Sequence, residues 1–347
     1  MPEFVQALEA RRMCSTTAVQ LTVGGYSPQQ IREAYGFDQV QFAQKGKTIA
    51  GNGAGQTIAI VNPFHAPNIK KDVKVFDKQF GISNHDSHGN FALSVATPQG
   101  KPAIDVGWAQ ESSMDIEWAH AIAPAAHILL VEARSDSTVD LFNAIDYARK
   151  RKGVVAVSLS WGWNVTPPEA PSYDFVFTTP PNHKGGYKKG DGVSFVVAAG
   201  DNGVPNAWPD SSVNVISVGG TTLNLNPDGS YASETLLAQS AQSATVAYDA
   251  DISPGYAMYD STPVNGVQGW QLGSGTSAGA PQWAALLAIA DQGRAILKKH
   301  SLDGTTQTLA TLQSLPSTDF HAVTDGGTAA GRGSPFADRV IADLVNI

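Results

Sequence analysis

The chain has little charge, a single cysteine and no long apolar run. Only 16% of its 347 residues are Asp, Glu, Lys or Arg, well below the ~25% that is usual for globular proteins. With Cys14 alone, an intrachain disulfide and a cysteine-based metal site are both excluded. No apolar run approaches the ~20 residues needed to cross a bilayer. Residues 1–24 lack the apolar core of a signal peptide, so we expect a soluble chain without membrane contact, in a compartment that the sequence leaves open.

Positive charge is also scarce. The net charge of −8 and the lack of a basic cluster argue against nucleic acid as a partner. A low charge density suits a protein that works in acid, because protonating a few carboxylates then changes little. The chain is long enough for one or two domains with a large core.

Short apolar runs alternate with segments of helical periodicity. We expect an ordered domain over residues 25–347, preceded by a poorly ordered extension over residues 1–24. Strands apolar on both faces, alternating with helices, predict an α/β fold with a parallel sheet covered by helices on both faces. In such sheets the active site lies at the carboxyl ends of the strands. The predicted strands are 57–61, 127–132, 154–160, 193–199 and 213–218, and the predicted helices are 28–34, 69–80, 110–123 and 138–151.

The most informative segment is residues 273–281, a run of small residues that opens an apolar helix. Ser277 there has the position of a nucleophile, because a helix N-terminus favours a nearby anion. The glycines and alanines around it leave room for a substrate backbone to approach, so Gly275 and Thr276 are expected to bind substrate. Pro281 suits a first helical turn. The alternative is a helix start that only packs tightly.

Glu111 and Asp115 form the second feature. Their i, i+4 spacing places both carboxyls on one face of a helix. If the helix is buried, the two cannot both ionise easily and one pKa is raised, which suits a carboxyl base and an orienting partner. The alternative is a solvated acidic face.

Two strand ends carry further candidates. Asp201 follows the strand 193–199 and could serve the site, or it could be an ordinary turn aspartate. Ser160, Trp161 and Gly162 end another strand, where an exposed glycine could pair with an extended peptide. A structural strand-to-turn transition explains these three residues equally well.

Together these motifs resemble the sedolisin (serine-carboxyl) peptidases, of the kumamolisin-like kind, which have a subtilisin-like fold. The resemblance runs over residues 25–347. It rests on Glu-x-x-x-Asp at 111–115, Gly-Asp-x-Gly at 200–203 and Ser-Gly-Thr-Ser-x-x-x-Pro at 274–281. It implies an acid-acting endopeptidase on polypeptide substrates, expected to be a monomer and typically secreted.

Four residues take catalytic roles through this resemblance. Ser277 is the expected nucleophile, Glu111 its general base, and Asp115 the residue that orients Glu111. Asp201, with the backbone N–H of Ser277, is expected to form the oxyanion hole. A carboxylate base can accept a proton where histidine is already protonated, which fits activity in acid.

The chain departs from the family at two places. Sedolisins bind Ca²⁺ near the C-terminus, but a ligand aspartate is replaced by Ala322 and a later element is missing near Gly331. Since calcium needs six or more oxygen ligands, we expect no cofactor. The family's glycine-rich cleft segment after Glu234 is also missing, which affects the shape of the cleft.

Two other functions stay open. A subtilisin-type peptidase with His88 as base is disfavoured, because Asn62 stands where subtilisins place the triad aspartate. A non-catalytic relative that binds peptides or a partner would account for the missing calcium and cleft segments. A metal cluster of His65, His85, His88 and His120 is less favoured than a solvated loop.

Overall fold

The structure is a computed structural model that carries no ligand or partner chain. It describes residues 6–7, 23–163, 170–185, 189–201, 208–237, 244–325, 328–329 and 331–347. Cys14, Asn202, Gly203, Ala330 and the segment 238–243 after Glu234 lie outside the described residues. The predicted domain limits, 1–24 and 25–347, therefore stay predictions.

Helices and strands alternate through most of the described chain. The helices are α1 Pro28–Ala34, α2 Ile69–Phe80, α3 Val106–Ile122, α4 Thr138–Arg149, α5 Ala170–Tyr173, α6 Thr276–Ile296, α7 Leu309–Ser314 and α8 Ala337–Asn346. The strands are β1 Gln6–Ala7, β2 Gln41–Gln44, β3 Lys47–Ala50, β4 Thr57–Pro63, β5 Leu93–Ala96, β6 His127–Ala133, β7 Val154–Leu159, β8 Trp161–Gly162, β9 Ser194–Ala198, β10 Ile216–Leu225, β11 Tyr231–Leu236, β12 Val246–Asp249, β13 Tyr256–Val264, β14 Val267–Gly273, β15 Phe320–His321, β16 Thr324–Asp325, β17 Thr328–Ala329 and β18 Ser334–Pro335.

The main sheet has eight strands in the order β11-β10-β9-β7-β4-β6-β5, with β12 also paired to β10. Every pair in it is parallel except β10 with β11. The predicted α/β fold with a parallel sheet between helices is confirmed. β4 and β7 lie side by side at the centre of the sheet and run parallel. Their carboxyl ends therefore lie next to each other at the same edge of the sheet.

Alternate residues of the central strands supply two separate cores. Ile58 and Ile60 point to the face covered by α3 and α6, and Ala59 and Val61 point to the face covered by α4. Side chains alternate between the two faces of a strand. Asn62 continues the series of Ile58 and Ile60, so its side chain lies on the face covered by α3 and α6.

Several element boundaries match the sequence, and others do not. Ser27 and Gln30 form the predicted capping box of α1. The strand predicted from Val213 begins at Ile216, because Val213 is 83% exposed in a preceding turn. Pro281 does not lie in the first turn of α6, since this helix already begins at Thr276.

Four carboxyl groups are buried close together on α2, on β13 and on α3, the helix that also carries Glu111. Glu117, Asp72, Asp77 and Asp260 are each at most 1% exposed. Burial raises the pKa of Asp72 and of Asp77, and it raises the pKa of Glu117 most, with the neighbouring carboxylates adding to the effect. Glu117 accepts a hydrogen bond from the Tyr259 N–H at 2.9 Å and so joins α3 to β13.

Glu117→Gln is expected to reduce the loss of stability as pH rises. A carboxyl whose folded pKa is raised stabilises the fold fully below its unfolded pKa of about 4.3, and this contribution is lost as pH rises toward the folded value. At about pH 8 we therefore expect the variant to unfold at a temperature about 2 °C or more above the parent. At about pH 4 the two should agree closely.

Thermal unfolding followed by circular dichroism at both pH values measures this difference. Glu33→Gln is the matched control, because Glu33 undergoes the same chemical change at an exposed position of α1. An equal pH dependence in all three proteins would contradict the account.

Candidate active site

Glu111 and Asp115 lie in the middle of α3, and both side chains are 1% exposed. The helix begins after Asp105, whose side chain accepts the Trp108 N–H at 3.0 Å and caps the first turn. Because α3 packs against α6 and β13, the two carboxyls are enclosed by protein. The solvated acidic face is therefore excluded.

Asp115 is held from two directions. Its Oδ2 accepts a hydrogen bond from the Asn62 amide of β4 at 2.8 Å. Its Oδ1 accepts one from the Ser160 hydroxyl, just after β7, at 2.8 Å. The same Ser160 oxygen lies 3.3 Å from the carbonyl oxygen of Ser277. Ser160 thus connects the predicted carboxyl pair on α3 to the predicted nucleophile on α6.

Pro281 explains why the Ser277 carbonyl can take part in this contact. In an α-helix that carbonyl would accept the N–H of residue 281, but proline has none. The second turn of α6 therefore leaves the Ser277 carbonyl oxygen for Ser160. Pro281 lies in the second turn of α6 and not in the predicted first turn, and this position leaves the Ser277 carbonyl without a helical donor.

Ser277 lies in the first turn of α6 and is fully buried. Gly275 before it has a φ of +97°, a conformation that favours glycine, and its N–H donates to Ala250 O at 2.7 Å. Among the described residues the Ser277 hydroxyl has no hydrogen-bond partner. A contact between Glu111 and this hydroxyl is thus not formed in this state. Catalytic hydrogen bonds often tighten only when substrate binds.

Asp201 lies at the same helix end. Its Oδ1 accepts the backbone N–H of Thr276 at 2.8 Å, and the Thr276 hydroxyl accepts the Gly200 N–H at 3.0 Å. These two hydrogen bonds join Asp201 and Gly200 to Thr276. Asp201 is therefore hydrogen-bonded to the residue that directly precedes Ser277. Asp201 therefore caps α6 from another element, which is more than the ordinary turn aspartate of the alternative interpretation.

The residues predicted to bind substrate differ in where their side chains lie. The Ser160 and Thr276 side chains are buried and hydrogen-bonded within the protein. The Trp161 indole is buried and donates to Val61 O at 2.7 Å, so this ring belongs to the core. The expectation of an exposed glycine at position 162 is wrong, because Gly162 is buried.

The backbone of β8 nevertheless pairs with an extended segment. β1 runs antiparallel to β8, with Ala7 opposite Trp161 and Gln6 opposite Gly162. This segment comes from the same chain. The strand that the sequence singled out for peptide pairing therefore carries such a pair in the structure.

His88 does not join the site. Ser87, next to His88, donates its N–H to Ala125 O and accepts the Gly55 N–H, so the loop lies at the amino ends of β4 and β6. The length of β4, about 20 Å, separates it from the carboxyl edge. This excludes His88 as the base of Ser277. No three His, Cys, Asp or Glu side chains converge on a metal position in the part of the chain that the structure describes.

Sequence reasoning missed the roles of Asn62 and Ser160. The alternation of side chains along a strand could have indicated these roles, because it places Asn62 and Ser160 on the face that α3 covers. Their pairing with Asp115 joins residues 53 and 45 positions apart, which no local pattern shows.

Comparison with known proteins identifies the family of the chain. The Peptidase_S8 model, described as the subtilase family, matches residues 63–331. The chain therefore belongs to the subtilase family of serine peptidases. Within that class it is similar to sedolisin of Pseudomonas sp. (strain 101), with 24% identity over 288 residues. The match covers 75% of this chain and 45% of sedolisin, so the chain spans less than half the length of that relative.

Solved structures show the same fold. Pseudomonas sedolisin complexed with two molecules of pseudo-iodotyrostatin superposes with a TM-score of 0.71 at 19% identity, covering 92% of this chain and 98% of that one. The prenylagaramide maturation protease PagA matches with a TM-score of 0.54 at 15% identity, covering 85% of this chain and 95% of that one.

Two described residues near the C-terminus, Ala322 and Asp319, bear on the calcium ion that the resemblance implies. Ala322, in the place of a ligand aspartate, presents an exposed methyl group. The nearby Asp319 carboxyl is hydrogen-bonded to that of Asp343, and its pKa is raised by burial and by this neighbour. A carboxyl that tends to keep its proton is a poor ligand for Ca²⁺, which prefers ionised oxygens.

We expect calcium to leave the stability of the protein unchanged. A bound ion at 100 times its Kd would add about 2.7 kcal/mol, which a thermal scan detects easily. The measurement is the unfolding temperature with excess Ca²⁺ and with chelator, using Mg²⁺ as the control. A rise that is specific to Ca²⁺ and removed by chelator would show that the ligands are present.

Proposed function

We propose that the chain is an acid-acting serine endopeptidase of the sedolisin type. Ser277 Oγ attacks the peptide carbonyl while Glu111 takes its proton, forming an acyl-enzyme that water then hydrolyses. Asp115 orients Glu111, and Asp201 with the Ser277 N–H stabilises the oxyanion. The observation that supports the proposal is that the Ser160 hydroxyl contacts both the buried Asp115 carboxyl and the backbone carbonyl of Ser277.

Acid activity follows from the groups involved. A carboxylate stays a base at pH values where imidazole is protonated. Asp201 can donate a hydrogen bond to the oxyanion only in its protonated form, which acid favours. One such donor is typically worth about 3–4 kcal/mol of transition-state stabilisation.

The substrate class is an extended polypeptide. The antiparallel pairing of β1 with β8 supports this, because it shows that the β8 backbone accepts an extended segment. A kumamolisin-like subtype, a monomeric state and calcium-independent activity belong to the same proposal. The compartment stays open.

A peptide-binding relative without catalysis is the second candidate. Ala322 in place of a calcium ligand is the observation that favours it. It predicts binding of peptides without cleavage and without reaction at Ser277, so one set of variants distinguishes the two candidates.

Ser277→Ala is expected to lower kcat/KM by roughly 10⁴-fold or more. Glu111→Gln keeps the shape of the side chain but removes the base, and should cost about 10²–10⁴-fold. The measurement is cleavage of a denatured protein and of a fluorogenic peptide between about pH 2 and 8, with a maximum expected near the carboxyl pKa range of about 4.

His88→Ala is the matched control and should retain the parent's activity, because His88 lies at the opposite edge of the sheet. Equal cleavage by Ser277→Ala and the parent would reject the proposal. Tight peptide binding by an inactive parent would support the second candidate.

Removing residues 1–24 is expected to lower KM with little change in kcat. The deletion takes away β1, which occupies the backbone of β8. Each backbone hydrogen bond is worth about 1 kcal/mol, so the shift should be roughly fivefold or more.

Ala7→Pro in the full chain is the matched variant, because proline has no N–H and fits poorly in a paired strand. It should lower KM in the same direction. Unchanged KM values in both proteins would mean that substrate does not pair with β8.

A further inference from the structure

A second group of serine, histidine and aspartate side chains lies at the amino edge of the main sheet. His127 begins β6, Ser94 lies on the neighbouring strand β5, and Asp86 lies in the loop between α2 and β5. The length of β6, about 20 Å, separates this group from the carboxyl edge that carries Ser277. The proposed peptidase function therefore makes no use of these three residues.

The two ring nitrogens of His127 contact the other two side chains. Nε2 lies 2.7 Å from Ser94 Oγ, and Nδ1 lies 3.2 Å from Asp86 Oδ2. The Nδ1–H does not point along the second line in this state, but catalytic hydrogen bonds often align only when substrate binds. A serine on one ring nitrogen and a carboxylate on the other is the arrangement that activates a hydroxyl nucleophile.

The backbone of the loop holds Asp86 as an ionised acceptor. Asp86 Oδ1 accepts the N–H of His88 at 2.8 Å and the N–H of Asn90 at 3.0 Å. Burial acts to raise the pKa of Asp86, but these N–H groups and the nearby His127 outweigh it, so the pKa is lowered. Since an ionised carboxylate only accepts, neutral His127 carries its proton on Nδ1 and turns the lone pair of Nε2 toward Ser94.

The His127 ring can act as a base at neutral pH. Burial lowers its pKa below the usual 6.5, and the effect remains although the ionised Asp86 opposes it. His88, the other titratable group that acts on the ring, lowers the pKa further. The side chain is still 26% exposed, and Ser94 is half-buried. A solvent-borne molecule can therefore approach a hydroxyl that already faces a neutral base.

The strand β5 supplies a backbone donor beside Ser94. β5 is the last strand at this end of the described sheet. Leu93 pairs with Ile128, whose N–H donates to Ala92 O at 2.7 Å. In this parallel register the Ser94 N–H faces β6, and the next N–H, that of Val95, faces the open edge. The Val95 N–H thus lies where it can donate to the oxygen of a carbonyl group bound at Ser94.

We propose that Ser94, His127 and Asp86 form a second hydrolytic site, which cleaves small carboxylic esters. Ser94 Oγ bonds to the ester carbon while His127 Nε2 takes the serine proton, and the carbonyl oxygen accepts the Val95 N–H. The bond from that carbon to the alcohol oxygen then breaks, and the alcohol leaves with the proton from Nε2. Water repeats these steps on the acyl-serine, which releases the carboxylic acid and restores Ser94.

The open strand edge and the single backbone donor define the substrate class. An ester has a better leaving group than an amide, so it reacts with weaker stabilisation of the oxyanion. A small acyl group reaches the half-buried Ser94 from solvent without a deep pocket. The inference does not depend on the peptidase function, since the two sites share no residue.

The test uses Ser277→Ala as the background, so that the proposed peptidase nucleophile is absent. Hydrolysis of p-nitrophenyl acetate is followed between about pH 5 and 9. A fluorophosphonate, which labels activated serines, is then used to locate the nucleophile by mass spectrometry of peptides. We expect the label on Ser94, and an ester hydrolysis rate that rises with pH with a midpoint below 6.5.

Three variants in this background test the roles. Ser94→Ala should remove the label and lower ester hydrolysis at about pH 8 by roughly tenfold or more, and His127→Gln should lower it by up to about 10²-fold. Asp86→Asn keeps an oxygen for the two loop N–H groups but cannot stabilise the imidazolium, so it should also lower the rate. Ser87→Ala is the matched control in the same loop, where the exposed Ser87 hydroxyl accepts the Gly55 N–H.

A folded protein that takes up no label on Ser94 overturns the inference. A label that forms equally fast in His127→Gln also overturns it, because the serine would then react without its base. If His127→Gln does not fold, as judged by circular dichroism, Asp86→Asn carries this comparison. Peptide cleavage by the parent is measured separately at about pH 4, where His127 is protonated, so either activity can fail without the other.

Discussion

The hydrogen bond from Ser160 to Asp115 is the contact on which the arrangement of the site depends. Ser160 extends from the central strand β7, Asp115 lies on α3, and the same hydroxyl approaches the Ser277 carbonyl on α6. One buried side chain at the end of a central strand thus donates its single proton to α3 and lies in contact with α6. Because a carboxyl base must be placed within a fraction of an ångström of its partner, a rigid shared anchor of this kind is what the chemistry requires.

The fold supplies the remaining constraints. Parallel strands bring the carboxyl ends of β4, β7 and β9 to one edge of the sheet. Asn62 lies near the end of β4, and Ser160 and Asp201 follow β7 and β9. The first turn of α6 meets that edge and presents its N–H groups there. Pro281 then leaves one carbonyl of this helix for a contact outside it. The proposed acid function and the stability of the fold both depend on buried carboxyls, since Glu117 on the same helix belongs to a second buried group.

Local signals predicted the elements well and the contacts poorly. The bounds of α1 and α2 agree with the sequence because a capping box and a clear helical period define them. The motifs also pointed to Glu111, Asp115, Asp201 and Ser277, whose catalytic roles stay a proposal. The network of Asn62 and Ser160 was not visible, because it depends on the strand order, which local patterns do not contain. The hairpin β13–β14 was missed although Asn265 and Gly266 form its turn with positive φ at both residues.

A crystal structure of the protein soaked with a peptide aldehyde at about pH 4 tests the central claim most directly. The account predicts a bond from Ser277 Oγ to the aldehyde carbon, with the resulting oxygen beside Asp201 and the Ser277 N–H. It also predicts a Glu111 oxygen within hydrogen-bond distance of Ser277 Oγ. An aldehyde held without that bond, or a different side chain nearest to the serine oxygen, would contradict a hydroxyl activated by carboxyl groups.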